Sequence, residues 1–348
     1  MPIASVVYYY KICCLAFAQF IRFELRLPAP TMDKSLIINH LDDYPAPAVT
    51  WVNYVPSNIR PYFYLARVHK SSGILSLFYP CAWSITMTCY ARSTPMPTAW
   101  IYLGFFLVAS QVFHAIGCVI NDMWDKDIDA AILRTSTRPL AAGDLSMFQA
   151  LIFLVLQLAL GVSLFMQLNE YSLTLGLSSL FLVVLYPVMK RINDLPQIVL
   201  GLCLSWGALL GTASVAGTVD FDVYIPLFMG GVCWTIAYSS SYIRQDRDEH
   251  VKNGLHSTAI SFGDHIRPIL AVFTLAACSA ISYAGILNGQ GLTFFIGVAL
   301  GTLHLVILIA RIDFKDKSSC DASLFSNSWF GFWVWMGAMA DYVLKMQS

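Results

Sequence analysis

Uncharged runs of about 20 residues dominate this chain, and a run that long has few ways to fold. They fall at 71–91, 96–120, 147–168, 171–189, 196–218, 223–243, 268–287, 291–310 and 322–340, none containing Asp, Glu, Lys or Arg. A helix rises about 1.5 Å per residue, so each run spans the roughly 30 Å of a bilayer's hydrocarbon core. Residues 268 to 310 hold no charge at all, and the turn-forming Asn288, Gly289, Gln290 and Gly291 divide them into two spans. With 57% hydrophobic and only 12% charged residues across 348 positions, a soluble fold is excluded. The expected architecture is all-α: a polytopic membrane bundle of about nine transmembrane helices around a central cavity.

Charge placement orients the bundle. Nine crossings put the N-terminal segment and alternate loops on one side, which then carries 19 of the 21 Lys and Arg, leaving Arg92 and Lys345 opposite. The positive-inside rule makes the rich side cytosolic or its organellar equivalent. The net charge of zero and the apolar composition give no sign of nucleic acid as a partner. Nine scattered cysteines without a CxxC pair read as small core residues rather than a disulfide framework or a zinc site. Residues 1–60 form a separate N-terminal segment, interfacial or partly disordered. Its apolar stretch 3–20 reads as an interfacial helix, with a weak extra span as the alternative. The membrane domain is expected over 61–348.

Two acidic clusters stand out at span ends. In the first, Asp122, Asp125 and Asp129 are spaced i, i+3, i+7, which stacks three carboxylates on one helical face, with Asn121 a turn from Asp125. Repulsion makes that costly unless a divalent cation shares it, and magnesium takes carboxylate oxygens. A solvated acidic loop is the plainer account. The second cluster, Asp246, Asp248, Glu249 and His250, follows the sixth run. Four crossings separate the clusters, so both emerge on the same face and could hold magnesium ions bridged by a diphosphate. Arg134, Arg138, Lys190, Arg191, Arg247 and Lys252 lie on that face too, and guanidinium suits phosphate oxygens, although snorkelling accounts for some of them equally well.

These residues resemble the UbiA superfamily of intramembrane prenyltransferases. The string Asn121, Asp122, Asp125, Asp129 with Arg134, Arg138, Pro139 and Leu140 looks like its first signature, and Tyr238, Tyr242, Gln245, Asp246 with Lys252, Gly254, Ser257 and Thr258 like its second. Tyr186, Pro187, Lys190, Arg191, Leu195, Pro196, Gln197, Trp206 and Gly207, together with Pro61, Tyr62, Leu65, Arg67 and Gly73, resemble the 4-hydroxybenzoate polyprenyltransferase branch. The chain departs from the pattern at Glu249 and His250, where Asp is usual, and at Ser239.

The resemblance implies a site and a reaction. Asp122, Asp125, Asp246 and Tyr238 would be catalytic; Asp122, Asp125, Asp129, Asp246, Asp248 and Glu249 would ligate Mg2+. Arg134, Arg138, Lys190, Arg247 and Lys252 would hold the diphosphate, and Arg67 with Asn121 the acceptor. Ionisation of a prenyl diphosphate would give a cation sheltered by Tyr238, Tyr242 and Trp206 and attacked by a phenol ring. His114 reads as a core histidine, with a proton acceptor as the alternative. The altered second cluster favours farnesyl transfer to a polyketide-derived phenolic acid of the orsellinic type, as in fungal meroterpenoid pathways, in the endoplasmic reticulum. The alternative is a 4-hydroxybenzoate polyprenyltransferase of ubiquinone formation in mitochondria. A membrane terpene cyclase and a transporter are the rivals from other classes. The motifs around Arg67 argue against the first, and acidic clusters at span ends rather than mid-bilayer against the second.

Overall fold

Each uncharged run becomes a helix because only a helix satisfies every backbone donor and acceptor inside lipid. The computed structural model describes residues 50–347, and the expected interfacial segment 3–20 lies outside them. After a single 3-10 turn, Trp51–Tyr54, come α1 (Arg60–Leu65), α2 (Ser71–Arg92) and α3 (Met96–Trp124). The loop after α3 carries two one-turn helices, α4 (Lys126–Asp129) and α5 (Pro139–Ala142). Next come α6 (Met147–Phe165), α7 (Glu170–Ile192), α8 (Pro196–Ser205), α9 (Gly207–Ala216) and α10 (Phe221–Ile243). Two short pieces, α11 (Arg247–Lys252) and α12 (Thr258–Ser261), lead into α13 (Ile266–Leu287), α14 (Leu292–Arg311) and α15 (Lys317–Gln347).

Eight helices among the described residues are long and apolar enough to cross a membrane, α8 and α9 together counting as one. The ninth run, 322–340, lies inside α15, a 31-residue helix that does not meet the same apolarity. Its polar groups explain why. Asn327, Ser328 and Asp341 are buried against protein, and Asp341 accepts hydrogen bonds from the Gly291 amide at 2.6 Å and the Thr293 hydroxyl at 2.9 Å. The helix is therefore polar toward its neighbours α2 and α14 rather than toward lipid. The expected division at 288–291 also holds: α13 stops at Leu287, and Gly289 takes a left-handed φ of 68°.

The fifth run does not form one straight helix. It breaks at Trp206, and α9 then lies directly on α2. A Cβ on Gly207 would stand 2.3 Å from Cys81 Sγ, and one on Gly211 2.2 Å from Ser84 Oγ, so the small-residue pair at i, i+4 is what lets the backbones meet. Trp206 Nε1 donates to the Leu175 carbonyl at 2.9 Å, which anchors the break against α7. The core centres on α2, α10 and α15, where Trp83, Trp234 and Phe330 interlock with ring centroids 5.4 to 6.1 Å apart. In contrast, Phe148, Val155 and Leu156 on α6, Val272 and Leu275 on α13, and Leu303 and Val306 on α14 are exposed. Such apolar faces belong in lipid, and the protein is a multi-pass integral membrane protein.

Candidate active site

A cavity of about 1000 Å³ opens between α2, α3, α7, α8 and α10 on the side where both acidic segments emerge. The first segment sits where α3 gives way to α4. Asp125 breaks the helix with φ −93° and ψ 10°, yet its amide bonds to the Asn121 carbonyl at 2.9 Å and the Asp129 amide to the Asp125 carbonyl at 2.6 Å. The i, i+4 backbone bonding thus carries through the break, with Asp125 and Asp129 reaching the cavity lining. Asp122, Asp125 and Asp129 are 1%, 2% and 4% exposed, depths at which a carboxylate needs compensation.

Guanidinium groups supply it. Asp122 Oδ1 takes Arg138 Nη1 at 3.1 Å and also pairs with Arg67, while Arg138 Nη1 reaches Asp129 Oδ2 at 2.6 Å. Arg67 arrives from the turn between α1 and α2 with a left-handed φ of 49°, uncommon for a side chain of this size and of the kind found where function holds the backbone. Burial is the largest influence and works against its charge, but Asp122, Cys118, Asp129 and Tyr242 together outweigh it and lift its pKa above the ordinary guanidinium value. Two residues on, burial, helped by Lys70 and Arg67, pushes His69 down to about 4, so a neutral imidazole lines the same mouth.

The second segment is arranged differently from the expectation. Asp246 is fully buried and gripped by Arg134, Nε to Oδ1 at 3.0 Å and Nη2 to Oδ2 at 2.6 Å, the bidentate fork geometry. Arg134 Nη1 also donates to the Tyr242 hydroxyl at 2.9 Å. Burial opposes the Arg134 charge, but Tyr242 and Asp246 together lift its pKa well above the usual value. Asp248 points away: its side chain is 87% exposed beside Arg247 at 3.9 Å. Two residues along a helix turn about 200°, so Asp248 stands on the face opposite Asp246. Glu249 is drawn off as well, accepting from the Leu133 amide at 2.9 Å and Lys317 Nζ at 3.2 Å. His250, one full turn past Asp246, is the residue of this segment that lines the cavity.

The other expected site residues divide the same way. Arg67, Asn121, Asp125, Asp129, Arg134, Arg138 and Tyr238 line the cavity. Asp122 and Asp246 stand behind their arginine partners. Arg247 and Lys252 lie outside the lining, Lys252 exposed, and the Lys190 side chain is outside what is described. Sequence reasoning did not single out His69 or His256. His256 Nδ1 sits 2.5 Å from Asp194 Oδ1 and ties the α7–α8 loop to the segment after α11 across the mouth. Neither follows a helical period, so no spacing signal pointed to them.

A membrane-embedded cavity with carboxylates and guanidinium groups at one end and apolar walls below is the form of site the motifs anticipate, and comparison decides the family. The sequence profile described as "UbiA prenyltransferase family" matches residues 77–336. The chain belongs to that family. It is 41% identical over 286 residues to a mitochondrial 4-hydroxybenzoate polyprenyltransferase of Drosophila pseudoobscura pseudoobscura, covering 82% of this chain and 71% of the relative. The human mitochondrial 4-hydroxybenzoate polyprenyltransferase is 39% identical over 298 residues, covering 86% and 80%. Among solved structures, a UbiA homolog from Aeropyrum pernix K1 superposes with a TM-score of 0.63 at 20% identity, over 76% of this chain and 97% of that one. A UbiA homolog from Archaeoglobus fulgidus bound to GPP and Mg2+ gives 0.58 at 16%, over 80% and 99%. This UbiA-family chain is an aromatic prenyltransferase.

The donor set fits the divalent metal seen in that relative. Hard carboxylate oxygens of Asp125 and Asp129 are at the mouth, and Asp122 Oδ2 behind them is buried without a hydrogen-bond partner. No cluster of three His, Cys, Asp or Glu among the described residues is already close enough to hold an ion. The arginines balance the carboxylates here.

Proposed function

We propose that this protein transfers a polyprenyl group from its diphosphate to a ring carbon of 4-hydroxybenzoate, in mitochondria and with Mg2+. The observation that carries the reading is the meeting of Arg67 with the first acidic cluster at the cavity mouth. An acceptor carboxylate needs a guanidinium, a leaving diphosphate needs several, and Arg67, Arg134 and Arg138 line one mouth within reach of both. Asp122, Asp125, Asp129 and Asp246 are the residues that would hold the metal, which would draw charge from the diphosphate as the carbon–oxygen bond breaks. Tyr238 and Tyr242 line the cavity where a carbocation would form, and the apolar walls keep water from it. Asn121 lies beside Asp122, its amide 3.3 Å from Oδ1, and is placed to meet the acceptor's polar end.

Support for this acceptor and compartment comes from relatives carrying that name at 37 to 41% identity over four-fifths or more of this chain. That support outweighs the endomembrane and orsellinic-type expectations, which rested on Glu249 and His250 and on the composition of the N-terminal segment. A polyketide-derived phenolic acid would offer the same carboxylate and phenol, so one assay separates the two. Membranes holding the protein are incubated with Mg2+, prenyl diphosphates of several lengths, and either acid. Prenylated 4-hydroxybenzoate as the main product supports the proposal. A strong preference for the orsellinic acid overturns the acceptor, and cyclic hydrocarbon without any acceptor overturns transfer itself.

A further inference from the structure

Away from the carboxylates the cavity lining turns apolar, with Phe106 from α3, Leu210 from α9 and Phe165 at the last position of α6. Phe165 does not merely fill space. Its ring stacks on Phe113 of α3 with centroids 4.3 Å apart and planes 19° apart. Both rings lie in slots kept open by glycine. A Cβ on Gly176 of α7 would stand 2.7 Å from the Phe165 ring, and one on Gly161 of α6 3.2 Å from the Phe113 ring. Phe113 precedes Asp122 by 9 positions and Asp125 by 12, which places the stack about 14 to 18 Å along the helix from these carboxylates.

We infer that Phe165, clamped by Phe113 and the Gly176 slot, is the specificity-determining residue for donor length. A prenyl diphosphate whose phosphates sit at the arginines must lay its apolar tail toward this end. The aromatic pair sets how much tail is housed before the chain must bend or leave into lipid. Neither ring touches the acidic clusters or their arginines, so ionisation at the mouth is independent of them. The inference rests on the prenyl-transfer reading above.

The test uses the full chain in membranes with 4-hydroxybenzoate, Mg2+ and donors from geranyl to solanesyl diphosphate. Phe165→Ala is expected to raise the kcat/KM ratio of the longest donor over the shortest about tenfold, the scale of selectivity that apolar pockets provide. Geranyl turnover should persist. Gly176→Ala, which forces the ring out of its slot toward the cavity, is expected to lower the same ratio. Should Phe165→Ala not fold, Phe165→Leu and Gly176→Ala carry the measurement. An unchanged ratio in the folded variants overturns the inference while leaving prenyl transfer standing. A wild-type protein inactive with every donor overturns both.

Discussion

The two acidic segments emerge on the same face of the bundle, yet their carboxylates have different surroundings. Asp122, Asp125 and Asp129 are all buried, and Arg67 and Arg138 pair with Asp122 and Asp129 through single contacts. Around Asp246 one carboxylate is buried and wholly engaged by one bidentate arginine, while Asp248 turns outward and Glu249 is taken by the Leu133 amide. Loosely shared partners can be exchanged for a metal or a phosphate, and a closed fork resists exchange. On the proposed reading the first segment would be the one to exchange partners on binding, while the second holds Arg134 at the cavity lining. Besides the metal role proposed for it, Asp246 fixes the position of that guanidinium.

Breaking the fork is expected to have the largest effect. Arg134→Ala leaves Asp246 buried and unpaired, which should cost about 3–5 kcal/mol of stability. A fall in thermal midpoint in detergent would register it. The double substitution Arg134→Met with Asp246→Leu removes both charges and should recover most of that stability without recovering turnover. A single variant as stable as the wild type would break the distinction between the two segments.

Next comes the first segment. Asp122→Asn keeps the size of the side chain but gives up a charged oxygen at the mouth, and kcat at saturating donor and Mg2+ should fall about 10²–10³-fold, on the scale of losing one preorganised electrostatic contact. Its midpoint should move far less than that of Arg134→Ala, because Arg138 still has Asp129. Turnover near the wild-type level would remove the binding role from this cluster. A smaller effect is expected at Arg67, whose loss should raise the acceptor KM about tenfold, the worth of one charged hydrogen bond, and leave the donor KM in place. An unchanged acceptor KM would assign Arg67 to Asp122 alone.

Much of this arrangement was legible before any coordinates. The uncharged runs locate the long helices to within a few residues because lipid enforces length and composition together. Span parity brought the two clusters to one face, and the backbone bonding from Asn121 to Asp129 continues through the break at Asp125. What could not be read depends on contacts between distant segments. Nothing local reveals that the Leu133 amide, 116 positions away, claims Glu249. The break at Trp206 likewise depends on Leu175 and on the approach of α9 to α2. Asp248 is a different lesson. Grouping it with Asp246 counted acidic residues rather than helical angle, and the angle alone sends it outward.

That placement yields the mildest test of the comparison. Asp248 is 87% exposed, its nearest cation Arg247 stands 3.9 Å away, and it lies outside the cavity lining. A solvated pair at that distance contributes little, so Asp248→Asn should change stability by no more than about 0.5 kcal/mol. Both KM values and kcat should remain within twofold or so, about 0.4 kcal/mol on the same scale. The contrast with Asp122→Asn matters more than either number, since both replace an aspartate in an acidic segment at the end of a span. If Asp248→Asn lost activity on the scale of Asp122→Asn, α11 would have to rotate by about half a turn in the working enzyme to bring that carboxylate inward. The Arg134 fork on Asp246, immediately before α11, is the contact such a rotation would have to break.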